Sequence, residues 1–381
     1  MKTIPYGHQW IDEVDIKEVV KVLRSDWITQ GPKIQEFEDA LGKYTGTKYA
    51  VVVSSGTAAL HIACLTAGIK ESDEVITSPL TFVASANCVL YCGGKPIFAD
   101  IQEDTFNISP IEIEKLITQK TKAIIPVHFA GHSCDMKRIK QIARKNKLLI
   151  IEDAAHALGA KYRNSKVGSC RYSDMTILSF HPVKHITTGE GGAVLTNNKK
   201  LYKKLLILRN HGITKEKYLD KPDGDWYYEM QLLGFNYRLT DIQAALGLSQ
   251  LTKLDKFVKR RREIAAVYNQ VFRGNDYFDL PIEHEGVYSS YHLYPVRLKK
   301  RFLAAKKDIF SKLRENGVGV QAHYRPVYRQ PYYQQLAYLP GLCPQAEKFY
   351  RSEISLPLYP LMSNKDINFV VNKINKVLKK F

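Results

Sequence analysis

At 381 residues, with 45% hydrophobic and 25% charged residues, the chain has the proportions of a soluble globular protein and the length for one large domain plus a smaller one. No apolar run approaches the ~18 residues of a membrane span, and six cysteines without a CxxC pair fit a reducing, cytoplasmic setting. A formal charge of +18 raises nucleic acid, acidic membranes and anionic small molecules as partners, but the basic residues are spread out.

The start, MKTIPYGHQW, lacks the apolar core of a secretory signal. Apolar positions at helical spacing follow (Ile11, Val14, Val19, Val20, Leu23), then a loop through Asp26, Trp27, Ile28 and Thr29 to a Gly31-Pro32 stop. Residues 36–44 read as a helix and 49–53, YAVVV, as a buried strand. From there strand-like runs at 74–77, 96–99, 123–127, 148–151, 175–180 and 193–195 alternate with helix-like stretches at 58–67, 83–91, 110–117 and 134–145. This rhythm predicts a mostly parallel sheet covered on both faces, with ligands outside the carboxyl ends of its strands.

Residues 201–209 read as a helix, and 210–236 as a polar, aromatic-rich connection long enough to be a flap or an interface. A long helix over 240–268 carries the basic run 259–262. A composition change near 270 divides the chain into 1–270 and a smaller C-terminal unit, 271–381. That unit is read as strand 291–297, helix 305–315, strands 318–322 and 354–356, and helix 365–378. Basic clusters at 259–262 and 299–301 come without zinc-finger spacing or an RNP-like aromatic run, so phosphate-bearing ligands are the economical partners, not nucleic acid or membrane.

Four strand ends carry candidate chemistry. After YAVVV, Ser55, Gly56 and Thr57 lead into a helix whose N-terminus suits a phosphate, or they merely cap it. Phe82, after strand 74–77, is plain core or a stacking face. Asp153, ending strand 148–151, is a helix cap or a buried acid needing a cationic partner, with His156 nearby. Strand 175–180 presents Ser179, then Lys184 on a connection that GEGG (189–192) closes as a turn; a lone loop lysine is ordinarily solvated. Together the four offer a cradle, an aromatic platform, a carboxylate and a lysine, and pyridoxal 5'-phosphate uses all four. His128 and His132 have metal-like spacing but no third ligand, so no metal is expected.

The motifs SSGTAAL (54–60), EDAAHALGA (152–160), SFHPVKHITTGEGGAV (179–194), RNHG (209–212), GFNYRLTDIQAALGLSQL (234–251) and AHYRPVY (322–328) make the chain resemble, over nearly its whole length, the fold-type I pyridoxal phosphate-dependent aminotransferases of nucleotide-linked sugars. HLYPV (292–296) and PYYQQL (331–336) narrow the resemblance to the branch serving the pseudaminic acid pathway. The resemblance implies a three-layer α/β fold with a mostly parallel large-domain sheet and a smaller C-terminal α/β domain. It implies Lys184 as the Schiff-base and acid/base residue, Gly56, Thr57 and Ser179 at the phosphate, Phe82 stacked on the ring, Asp153 on the pyridine nitrogen and His156 near the cofactor hydroxyl. Asn236 then reaches the phosphate from a neighbouring subunit, which implies a homodimer with shared sites. Tyr6, the loop 26–29, His323 and Tyr324 match positions lining the nucleotide-sugar site. The partners implied are L-glutamate, 2-oxoglutarate and a UDP-linked 4-keto amino sugar, with a bacillosamine- or perosamine-type sugar as the alternative.

Overall fold

The computed structural model describes residues 2–381. A seven-stranded sheet forms the large layer, in the spatial order Tyr49–Val53, Gly192–Thr196, Met175–Ser179, Leu149–Asp153, Thr121–Ile125, Glu74–Thr77, Lys95–Phe98. From Met175–Ser179 to Lys95–Phe98 every neighbouring pair is parallel, while Gly192–Thr196 runs antiparallel to both its neighbours. The strands are buried on both faces because alternate side chains feed two separate cores. Val51 and Val53 join one core with helices Gly56–Thr66 and Lys199–Arg209, and Ala50 and Val52 join the other with helix Pro32–Thr45.

Helix Asp241–Val271 starts at a capping box made by Thr240 and Gln243. Its Leu251, Leu254 and Val258 pack under the large sheet, while Ile264, Ala265 and Tyr268 enter a further core with Ile4 and residues from 272 onward. That core lies beneath an antiparallel sheet of Phe278–Asp279, Tyr294–Leu298 and Glu353–Leu356, with helices Lys306–Glu315 and Asn364–Leu378.

Two expected strands are corrected. The one read over 318–322 is extended but makes only isolated bridges, Ile4 to Val318 and Gln321 to Ser355. The N-terminal segment takes its hydrogen bonds instead, with Gly319 N–H donating to Ile4 O at 2.7 Å and Ile4 N–H to Gly317 O at 2.9 Å. The one read over 291–297 begins only at Tyr294, because Tyr291 turns through φ 46°. The segment 210–236 contains a small hairpin, Ile213–Thr214 against Glu229–Met230, and leaves Leu219, Trp226 and Leu233 exposed. The expected helix 240–268 is one turn longer at its end.

Candidate active site

The parallel strands end on one edge, and Val53, Thr77, Asp153 and Ser179 mark it. Ser55 caps helix Gly56–Thr66, its Oγ accepting the Ala58 N–H at 3.0 Å. The first amides of the helix, at Gly56 and Thr57, lie in the turn whose N–H groups have no intrahelical acceptor. Ser179 packs so closely on this turn that a Cβ on Gly56 would stand 2.9 Å from Ser179 Cβ and 3.1 Å from its Oγ. Gly192 lies against the other side, where a Cβ would fall 2.5 Å from Ser55 O. The GEGG segment is therefore a turn that lets its strand touch the cradle. Ser54 N–H donates to Tyr237 O at 2.9 Å, which brings Asn236, with an exposed side chain, to the rim of the same turn.

Asp153 is buried, and both its oxygens are occupied. Ser85 Oγ donates to Oδ2 at 2.6 Å and Ala155 N–H to Oδ1 at 3.1 Å. Thr81 Oγ1 lies 2.7 Å from Ser85 Oγ, so the hydroxyls form a short chain ending on the carboxylate. Ser85 stands one helical turn past Thr81-Phe82, a spacing that signals a shared face but not what it faces. Phe82 is 58% exposed, which removes the core reading and leaves an open aromatic face at the edge where Asp153 ends.

Lys184 sits in a turn, its N–H bonded to His181 O at 2.9 Å. Burial pushes its amine down to about 8, the Arg261 charge adds to this, and the Asp153 charge partly offsets it. Arg261 belongs to the basic run 259–262, yet it is fully buried. Among the described residues its guanidinium has no carboxylate partner, and it donates to the carbonyls of Tyr291, His292 and Leu358 at 3.3, 3.2 and 2.9 Å. His156, His185 and His292 fill the space behind the lysine, with ring centroids 4.3 Å apart for His156 and His292 and 5.5 Å for His185 and His292. Burial pushes all three rings well below the usual histidine range, and each has a buried Nδ1 without a partner. The sequence offered His185 only as the neighbour of Lys184, and His292 only within HLYPV.

His156 Nε2 is 3.2 Å from Tyr324 Oη, and Tyr324 and Tyr6 flank His323 at ring distances of 4.8 and 5.3 Å. Burial and the Lys184 charge push His323 down to about 3, placing Tyr6, His323 and Tyr324 on the lysine side of the cleft. The loop 26–29 is tied to the start of the long helix, where Asp241 N–H donates to Ile28 O at 3.1 Å, and Trp27 and Ile28 are about half exposed. The metal-spaced His128 and His132 are engaged elsewhere, His128 Nε2 with Glu152 Oε2 at 2.8 Å and His132 Nδ1 with Ser133 O at 2.9 Å.

A helix N-terminus with Ser179, an open aromatic face, a buried carboxylate, an unpartnered His156 nitrogen and a lysine of lowered basicity fit pyridoxal phosphate atom for atom in type. The model of the DegT/DnrJ/EryC1/StrS aminotransferase family matches residues 9–375. The chain is 43% identical over 380 residues to the UDP-4-amino-4,6-dideoxy-N-acetyl-beta-L-altrosamine transaminase of Campylobacter jejuni, covering 99% of this chain and 98% of that one. Among solved structures it is similar to Helicobacter pylori PseC, an aminotransferase involved in the biosynthesis of pseudoaminic acid (TM-score 0.93, 37% identity, 100% of both chains). It is also similar to Spr1654 of Streptococcus pneumoniae in its PLP-form (TM-score 0.93, 34% identity, 99% of both chains).

Proposed function

The chain belongs to the DegT/DnrJ/EryC1/StrS aminotransferase family and is a pyridoxal phosphate-dependent aminotransferase; from that premise we propose that it moves the amino group of L-glutamate to C4 of a UDP-linked 4-keto-6-deoxy-N-acetyl-hexosamine. The products are 2-oxoglutarate and UDP-4-amino-4,6-dideoxy-N-acetyl-β-L-altrosamine, an intermediate for pseudaminic acid. The observation that carries this reading is the meeting of Lys184 and Asp153 at one sheet edge, joined to full-length identity of 43% with the Campylobacter enzyme.

The cofactor supplies a carbonyl carbon to hold the amino group and a ring to take up the electrons of the carbanion. The chain's own residues do the rest. Lys184 holds the cofactor at rest and, once freed, takes the proton from Cα of glutamate; in the second half it delivers a proton to C4 of the sugar. Its amine suits both tasks because burial has brought it close to neutral pH. Asp153, whose oxygens accept from Ser85 and Ala155, would hold the pyridine nitrogen protonated. Ser179 and the amides of Gly56 and Thr57 would bind the phosphate, Phe82 would stack on the ring, and His156 would meet its hydroxyl. Asn236, exposed at the cradle's rim, serves the site of a second copy, so the working unit is a homodimer; the exposed Trp226 and Leu233 suit burial there.

The test is a panel of 4-keto nucleotide sugars incubated with glutamate and scored by mass spectrometry. Gain of an amino group on the altrosamine precursor alone supports the assignment. Preference for a bacillosamine- or perosamine-type precursor moves the enzyme to that sugar and overturns the pseudaminic assignment.

A further inference from the structure

Behind His323 lies a buried carboxylate that the scheme above does not use. Glu353 and Ser355 are 0% and 1% exposed, on the strand beside residue 321. Glu353 Oε2 accepts the backbone N–H of His323 at 2.9 Å. Its Oε1 is 2.5 Å from Ser355 Oγ, which is 2.9 Å from His323 Nδ1. Main chain and ring of one histidine are thus held by one carboxylate, directly and through one hydroxyl. Among the described residues His323 Nε2 has no hydrogen-bond partner, and it is not one of the sealed-off nitrogens; the ring lies beside Tyr6 and Tyr324 and feels the Lys184 charge.

Burying an acid is costly unless its partners need it. We propose that Glu353 and Ser355 are positioning residues that set the tautomer of His323, and that His323 Nε2 is a specificity-determining hydrogen-bond acceptor for a hydroxyl or N–H of the acceptor sugar. This rests on the reading that the cleft takes a keto sugar. His323 stays neutral in the working range, so the relay changes which nitrogen carries the proton and not the charge. An ionised Glu353 only accepts, so Ser355 donates to it and must take its own hydrogen bond from His323 Nδ1–H, leaving the Nε2 lone pair in the cleft. Burial pushes the Glu353 carboxyl up, and the Ser355 hydrogen bond and the Lys306 charge pull it back. Its other neighbours are neutral: His323, Ser355 and the Tyr324 phenol. With Glu353 ionised, the relay is set in the acceptor sense.

The substitution Glu353→Gln turns this into a directional test. The one amide oxygen must accept the His323 N–H, so the amide NH2 faces Ser355, which then donates to Nδ1 and forces the proton onto Nε2. Nitrogen NMR of histidine-labelled holoenzyme at pH 9, with the signal assigned through His323→Gln, is expected to show a protonated Nδ1 in the native protein. In Glu353→Gln it is expected to show a protonated Nε2. The same tautomer in both overturns the relay.

The kinetic arm uses Ser355→Ala and follows the two half-reactions separately by cofactor absorbance. The acceptor half is expected to slow roughly tenfold more than the glutamate half, the worth of one hydrogen bond; equal slowing overturns the proposal. Failure of the native enzyme to react with glutamate would instead overturn the aminotransferase scheme, while the NMR arm still decides the relay.

Discussion

Ser85 donates a 2.6 Å hydrogen bond to Asp153, and with Thr81 behind it supplies a side chain that steadies the acid from the neighbouring helix. Bonds to ionised groups are worth about 1.5–3 kcal/mol. Ser85→Ala is therefore expected to lower kcat by roughly tenfold or more while leaving the fold intact, read by steady-state kinetics beside thermal melting. An unchanged kcat would show that Ser85 matters to packing alone.

Asp153→Asn removes the charge but keeps the shape. The phosphate cradle is untouched, so the variant should still bind cofactor, yet its amide cannot hold the ring nitrogen protonated. Turnover is expected to fall by roughly 10²-fold. Full activity would remove Asp153 from this role.

Lys184→Ala should lose both turnover and the visible absorbance that marks cofactor joined to the lysine. Retained turnover in the purified variant would end the assignment.

The lowered basicity of Lys184 also predicts a pH effect on the cofactor-free protein. Its amine titrates at about 8 in the folded chain against an ordinary 10.5. Between those values the unfolded chain holds a proton that the folded chain has released, so stability rises with pH across that window. Below about 8 the full burial penalty applies, and above 10.5 it is gone. Melting temperatures of the native apoprotein, minus those of Lys184→Met, should show this rise; a flat difference would refute it. In the enzyme, the proton-abstraction limb is expected to climb with pH and level off above about 8.

At the cradle, Gly56→Ala would drive a methyl to 2.9 Å from Ser179 Cβ. Alanine suits a helix's first turn, so the helix should survive while Ser179 shifts away from the phosphate. Affinity for pyridoxal phosphate, titrated by absorbance, is expected to fall about tenfold, ~1.4 kcal/mol.

Much of the fold was legible because it is written in local chemistry. Short continuous apolar runs such as YAVVV mark strands buried on both faces, and their alternation with 3.6-period stretches marks crossover helices; the seven strands of the large sheet stand where those patterns lie, within two residues or so. The strand read over 318–322 failed for a non-local reason. Its hydrogen bonds go to the Ile4 segment at the far end of the chain and, at Gln321, to Ser355, partners that no window around 320 contains.

The sequence by itself determined which groups are available at the strand ends: a lysine after Ser179, an acid at 153, glycines where backbone must approach closely. These follow from residue type and position along one element. Only the tertiary structure decided what those groups experience. Arg261 reads as one charge in a basic run until packing seals it in the interior, and Ser85 and Glu353 have no mark at all until folding sets them beside Asp153 and His323. A side chain's basicity and tautomer depend on desolvation and on partners tens to hundreds of residues away. The lysine was visible in the sequence; the pocket that lowers its basicity exists only in the fold.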